Sequence, residues 1–228
     1  MVINIPDCIS AVAGLGTASY ALVDSSKAIF CGVSRFGFSY IEKVINRLLP
    51  PELYKKSPLP PQQIRDTLWA NWVNGTSLAD QKAIAKTLVK LHLNQKTANH
   101  LASETGVDGK IMEQVAEKYA TGGKLDDDET NVAGRFDLML ATILDEGYQR
   151  ADQTYRNRAK LCAMVVSIAI ALIGGYSIYD NASVNYLQSK EMLTALLVGL
   201  LATPLAPVAK DLSSALQAGV KAVQAARK

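Results

Sequence analysis

The strongest constraint on this chain is a pair of uncharged runs in its C-terminal third. Leu161 to Tyr179 (LCAMVVSIAIALIGGYSIY) is 19 residues long, and Met192 to Ala209 (MLTALLVGLLATPLAPVA) is 18. A helix rises 1.5 Å per residue, so roughly 20 apolar residues cross a hydrocarbon core of about 30 Å. A short polar stretch separates the two runs, and together they read as a transmembrane hairpin.

A third run lies near the N-terminus. Cys8 to Val23 (CISAVAGLGTASYALV) is 16 uncharged residues, interrupted by Asp24, Ser25, Ser26 and Lys27 before Ala28 to Val33 resumes the pattern. Sixteen residues is marginal for a span, so a spanning and a re-entrant or interfacial helix both remain open. No Lys or Arg precedes the run, so it lacks the basic region of a cleaved secretory signal.

Charge placement suggests an orientation. The net charge is only +3, too small to argue for nucleic acid globally. Arg35, Lys43, Arg47, Lys55 and Lys56 follow the first apolar segment, and Arg150, Arg156, Arg158 and Lys160 precede the second. Basic loops stay cytoplasmic, which puts the middle of the chain inside and the loop from Asp180 to Lys190 outside. Three spans with the N-terminus out and the C-terminus in satisfy every flank, and place the protein in the cytoplasmic membrane. Tyr176, Tyr179 and Tyr186 then cluster at the outer ends of the hairpin, where aromatic rings favour the interface.

The middle region reads as helices. Residues 50–61 (PPELYKKSPLPP) form a proline-rich hinge after a juxtamembrane helix from about Ser34 to Leu49. A helix is expected from Pro61 to Val73, ended by Asn74-Gly75. The next opens with a capping pattern at Ser77 and Asp80, its apolar face formed by Leu78, Ile84, Leu88 and Leu91. Thr97 to Lys118 resembles a helix-turn-helix over about 20 residues, with Leu101, Ala102, Gly106, Val107, Met112 and Val115 at its core and turn positions. Lys110 and Lys118 are offset by Glu113 and Glu117, and few side chains there suit base edges, so an ordinary helical hairpin is the better reading. Gly122-Gly123 breaks the chain. The acidic cluster Asp126 to Glu129 then reads as the N-terminus of a long helix rather than a calcium loop. Its apolar positions run Val132, Phe136, Met139 or Leu140, Ile143, Tyr148, Ala151, Tyr155, Ala159 and Cys162. One helix should therefore run from the cytoplasm into the membrane, with a kink near Gly147.

No catalytic constellation is present: the chain lacks GxSxG, HExxH, a Walker loop and any paired Cys-His arrangement. An enzymatic role is not expected, and no cofactor or metal-ligand set is nominated. Cys8, Cys31 and Cys162 read as small buried hydrophobes, and His92 and His100 as surface or interhelix residues. Gly14, Gly16, Gly174, Gly175 and Gly199 are candidates for close helix packing, since small residues let backbones approach in lipid. The notable polar residues stand at the inner membrane edge: Asp24, Ser25, Ser26 and Lys27 after the first segment, Lys210 and Asp211 after the third. These are candidates for pairing between helices or for lining a pore. The stretches GLGTASYALVDSSKAI and GLLATPLAPVAKDLSSAL, which carry these groups, also resemble each other. After Pro204 and Pro207 the tail is amphipathic, with Leu212, Leu216, Val220 and Val223 on one face. It suits a surface helix, a subunit contact or a pore wall.

The expected fold is all-α: a polytopic membrane protein with about three transmembrane helices and a cytoplasmic helical domain. Its segments are 1–34 (first membrane segment), 35–60 (juxtamembrane helix and hinge), 61–159 (cytoplasmic domain), 160–209 (hairpin) and 210–228 (amphipathic helix). The lipid bilayer is the first partner. The leading functional expectation is a homo-oligomer forming a pore or an embedded assembly platform, with the cytoplasmic domain as gate or docking surface. The alternative is a non-conducting anchor recruiting a soluble partner through Trp69 and Trp72. A membrane-tethered DNA binder ranks last.

Overall fold

The computed structural model describes residues 5–25, 32–54, 59–179 and 186–226, with side chains undescribed for 5–7, 32 and 209–226. Regular structure among the described residues is entirely helical. In chain order it comprises α1 (Ile5–Ser25), α2 (Gly32–Leu48), α3 (Pro51–Tyr54), α4 (Pro61–Val73), α5 (Leu78–Lys90), α6 (Gln95–Thr105) and α7 (Gly109–Thr121). Then follow α8 (Asp127–Ile178), a 3-10 turn (Tyr186–Gln188) and α9 (Lys190–Ala226). The chain divides into two compact units: Cys31–Tyr155, here the polar unit, and Met1–Phe30 with Arg156–Lys228, the apolar unit. They share α8, whose residues pass from one to the other.

In the polar unit, local chemistry places each helix boundary. Pro60 precedes α4 and Pro61 opens it, where a missing N–H costs nothing. Ser77 caps α5: its Oγ accepts from the Asp80 N–H at 3.1 Å and donates to the Asp80 carboxylate at 2.6 Å. Asn94 and Thr97 form a reciprocal capping box on α6. Gly106 and Gly122 end α6 and α7 at φ of 66° and 74°, the left-handed region that a side chain resists. Asp126 accepts from the Glu129 N–H, and Glu129 accepts from the Asp126 N–H, both at 2.8 Å. The acidic cluster is thus the cap of α8.

The core of this unit gathers Ile41, Ile45 and Leu48 from α2, Leu68 from α4, and Phe136, Leu140, Leu144 and Tyr148 from α8. Leu78, Ile84 and Leu88 of the expected α5 face pack on this core. α5 buries Gln81, Ala85 and Val89 fully and leaves Leu91 69% exposed. Along α8, Leu140 is buried while Met139 is exposed. Gly147 marks no interruption in α8. It is buried where α2 crosses, and a Cβ there would come 2.8 Å from Val44 Cγ2, so close approach accounts for the glycine.

Among the described residues, two helices are long and apolar enough to cross a membrane, α8 and the Lys190–Val208 part of α9. Only 11% of the apolar window of α8, and 22% of that of α9, is buried within the chain, whereas a core helix of a soluble domain is mostly buried. α1 is a 21-residue helix packed along α9. α9 itself runs through Pro204 and Pro207 without a break, so the tail continues the helix begun at Lys190. Proline removes the N–H that would bond the carbonyl four residues back, here those of Leu200 and Thr203. Membrane helices tolerate this where neighbouring groups compensate.

Candidate functional site

Within the apolar unit, small residues set how closely the helices approach. A Cβ at Gly16 would lie 2.8 Å from both the Ala202 carbonyl carbon and the Ala206 Cβ, so α1 rests directly on the α9 backbone. At Gly199, a Cβ would come within 2.5 Å of Ile168 Cα, which brings α9 against α8. Gly175 faces the Tyr186 hydroxyl and Ala195. Gly14 and Gly174 differ: a Cβ at either would meet nothing within 4 Å, so neither holds a helix approach within the chain.

Three hydroxyls of this unit, on Ser19, Ser167 and Thr203, turn inward, while those of Ser10, Thr17, Ser177 and Thr194 are exposed. Ser167 is fully buried and donates to the Gly199 carbonyl at 2.6 Å, with Thr203 Oγ1 3.3 Å away. Ser19 is equally buried and donates to Leu15 O at 2.8 Å. At the hairpin turn, the Tyr186 ring lies 5.8 Å from Tyr176 and 5.4 Å from Tyr179, and its hydroxyl donates to Leu172 O at 3.2 Å. The structure thus gathers the three tyrosines into one cluster.

Of the membrane-edge residues, Asp24 and Ser25 stand exposed in the last turn of α1, with Ser25 donating to Leu22 O at 3.0 Å. Ser26 and Lys27, and the side chains of Lys210 and Asp211, lie outside the described residues. Cys8 is exposed rather than buried, and Cys162 is half-buried.

Trp69 and Trp72 are half-buried and make contacts within the polar unit. Trp69 meets Phe38 edge-on at 5.1 Å, Trp72 meets Tyr155 at 6.1 Å, and the Trp72 Nε1–H donates to Ser34 O at 3.1 Å. Large amphipathic rings on α4 face the core because α4 packs on α2, which supplies Phe38 and the Ser34 carbonyl. His92 is also internal, only 4% exposed. Its Nδ1 lies 2.8 Å from Leu88 O and its Nε2 2.7 Å from Leu59 O, so the ring ties α5 to the proline-rich hinge. The Tyr54 ring packs on it at 5.3 Å. Burial, partly offset by the neighbouring Thr97 hydroxyl, pushes the Tyr54 phenol up to about 12. Burial raises Tyr148 further.

The polar unit carries an open groove between α5 and α8, lined by Lys82, Lys86, Leu138, Ala141, Thr142 and Asp145. Ion pairs border it: Lys82 with Asp145, Lys86 with Asp137 at 2.5 Å, and Lys90 with Asp137 at 2.9 Å. Burial would raise the Asp137 carboxyl, but hydrogen bonds from Lys86 and Lys90 outweigh it and hold the group below its ordinary value. Sequence reasoning missed this ladder. Its signal was present as lysines at 82, 86 and 90, one helical face, opposite aspartates eight apart on another. The α6–α7 hairpin has buried Leu101, Ala102, Met112 and Val115. Lys118 is bonded to buried Glu129 at 2.5 Å. Among the described residues, no group of His, Cys, Asp and Glu could hold a metal ion.

Comparison of the chain with protein-family models, curated proteins and solved structures finds no match.

Proposed function

We propose that this protein is a membrane-anchored platform, in which the apolar unit holds the chain in a bilayer and the polar unit is a cytoplasmic docking surface. One observation carries the reading. The outward faces of the apolar stretches of α8 and α9 are rich in aliphatic side chains, including Val165, Ile173, Leu193, Leu197, Leu201 and Val208. The hydroxyls of Ser19, Ser167 and Thr203 are buried, and outward Ser177 and Thr194 donate to carbonyls of their own helices. Burying an unbonded hydroxyl in hydrocarbon costs several kcal/mol, about 4–8 on a cyclohexane scale, so inward, bonded hydroxyls and outward aliphatics suit lipid. Between its helices the bundle buries hydroxyls that are already bonded, which favours an anchor over a conduit. α1, at 21 residues, reaches about 31 Å and serves as the third span. Basic residues flanking the polar unit support the arrangement with N-terminus out and C-terminus in. The groove between α5 and α8 is the surface on which a soluble partner would dock.

A homo-oligomeric pore is the second reading, favoured by the outer face of α1. Ser10, Gly14, Thr17, Ala18 and Ala21 are exposed there, small and in part hydroxyl-bearing. If copies of the chain packed through these residues, α1 would face a shared axis.

Reconstitution of the purified chain into liposomes separates the two. The platform predicts a chain that resists alkaline carbonate extraction and gives no ion flux above empty vesicles. Flux that disappears in Thr17→Leu would instead establish the pore.

A further inference from the structure

The polar unit connects to the apolar segments twice, through residues 26–31 toward α1 and through Tyr155 along α8. Both departures leave from the same end of the unit. Near the start of α2, a Cβ on Gly37 would lie 2.7 Å from the Ala151 carbonyl oxygen and 3.1 Å from Tyr155 Cβ. Ser34, one turn earlier, accepts from the Trp72 indole, whose ring meets Tyr155. The first turn of α2 and the Ala151–Tyr155 turn of α8 are therefore neighbours.

This end gathers aromatic residues. The chain has two tryptophans, and both are here: Trp72 against Tyr155, and Trp69 one turn further in against Phe38. Phe36 is 55% exposed on the same first turns of α2, beside exposed Arg35. Charge at this end is basic: Arg150 is paired with Glu146 at 2.7 Å and Asp152 stands on the same helix, but Arg156, Arg158 and Lys160 follow Tyr155 directly. Basic side chains next to aromatic rings with an apolar body and a polar edge match the boundary between headgroups and acyl chains.

We propose that this end of the polar unit is immersed in the headgroup layer of a phospholipid bilayer, with Trp72, Tyr155 and Phe36 at the boundary and Arg35 against lipid phosphate. The proposal rests on the membrane reading above, and it gives the two tryptophans a lipid partner in place of a protein one.

Tryptophan emission of the full chain reports on this end alone. The chain would be placed in phosphatidylcholine nanodiscs whose acyl chains carry bromine either near the headgroup or deep in the core. In Trp69→Phe, which retains Trp72, emission should be quenched, more by shallow than by deep bromine. In Trp72→Phe the remaining Trp69 should be quenched less, since it lies three residues, about 4.5 Å along the helix, further in. Phe36→Ser, at an exposed position, should lower Trp72 quenching while circular dichroism stays unchanged. Absence of quenching in a chain that resists carbonate extraction overturns the proposal alone. A chain released by carbonate overturns the membrane reading and the proposal with it.

Discussion

Single residues show where composition and environment part company. Leu91 and Met139 are apolar yet exposed, while Gln81 and His92 are polar yet buried. The two buried polar side chains have backbone partners. The Gln81 amide N–H donates to Thr76 O at 2.6 Å, while its Oε1 is buried without a partner, and both His92 ring nitrogens lie within hydrogen-bond distance of carbonyl oxygens. Hydropathy alone does not carry that information, because the carbonyls come from Leu59 and the turn before α5. The buried tyrosines lead to a pH prediction. Tyr is neutral when protonated, and burial lifts Tyr54 from 10.0 to about 12, so the folded state holds this proton more tightly than the unfolded one. The associated stability is complete below pH of about 10 and is lost as pH rises through about 12, with Tyr148 acting in the same direction. Thermal denaturation of the full chain across this range should show a falling midpoint. Tyr54→Phe should flatten the decline, and an unchanged slope in that variant would rule out Tyr54 as its source.

Among elements, helix boundaries were the most legible part of the chain. Ser77, Asp126, Gly106 and Gly122 act through bonds to residues within five positions, so their roles could be read from neighbouring letters. Helix approaches were only partly legible, because a small residue permits contact without naming the partner. Gly16 and Gly199 meet α9 and α8 backbone, whereas Gly14 and Gly174 meet open space. Substitution should separate these cases. Gly199→Leu would force α8 and α9 apart at Ile168, an overpacking cost of about 1–3 kcal/mol or more. Gly14→Leu should leave the fold of a single chain intact. Thermal stability in detergent would record the contrast, and equal losses at both positions would contradict the packing. A loss of oligomer in Gly14→Leu without a loss of fold would point to α1 as a subunit contact.

Across the whole molecule, segregation of apolar and polar segments becomes a division into two units, one from the chain's two ends and one from its middle. Both tryptophans belong to the middle unit, so fluorescence follows its unfolding separately from total helix content. In detergent, urea should shift tryptophan emission first, while much of the helical circular dichroism persists to higher concentration. A single coincident transition by both probes would show that the units unfold as one. Linear pattern determined the all-helical class, the two membrane-length helices and most helix ends, because those follow from the length of apolar runs and from local bonds. Tertiary structure decided that Trp69 and Trp72 are engaged within the polar unit, that the lysines of α5 meet aspartates of α8, and that Ser19, Ser167 and Thr203 turn inward. The reason is physical: each of these depends on which faces meet across long stretches of chain, and the spacing of residues along a helix specifies a face but not what will cover it.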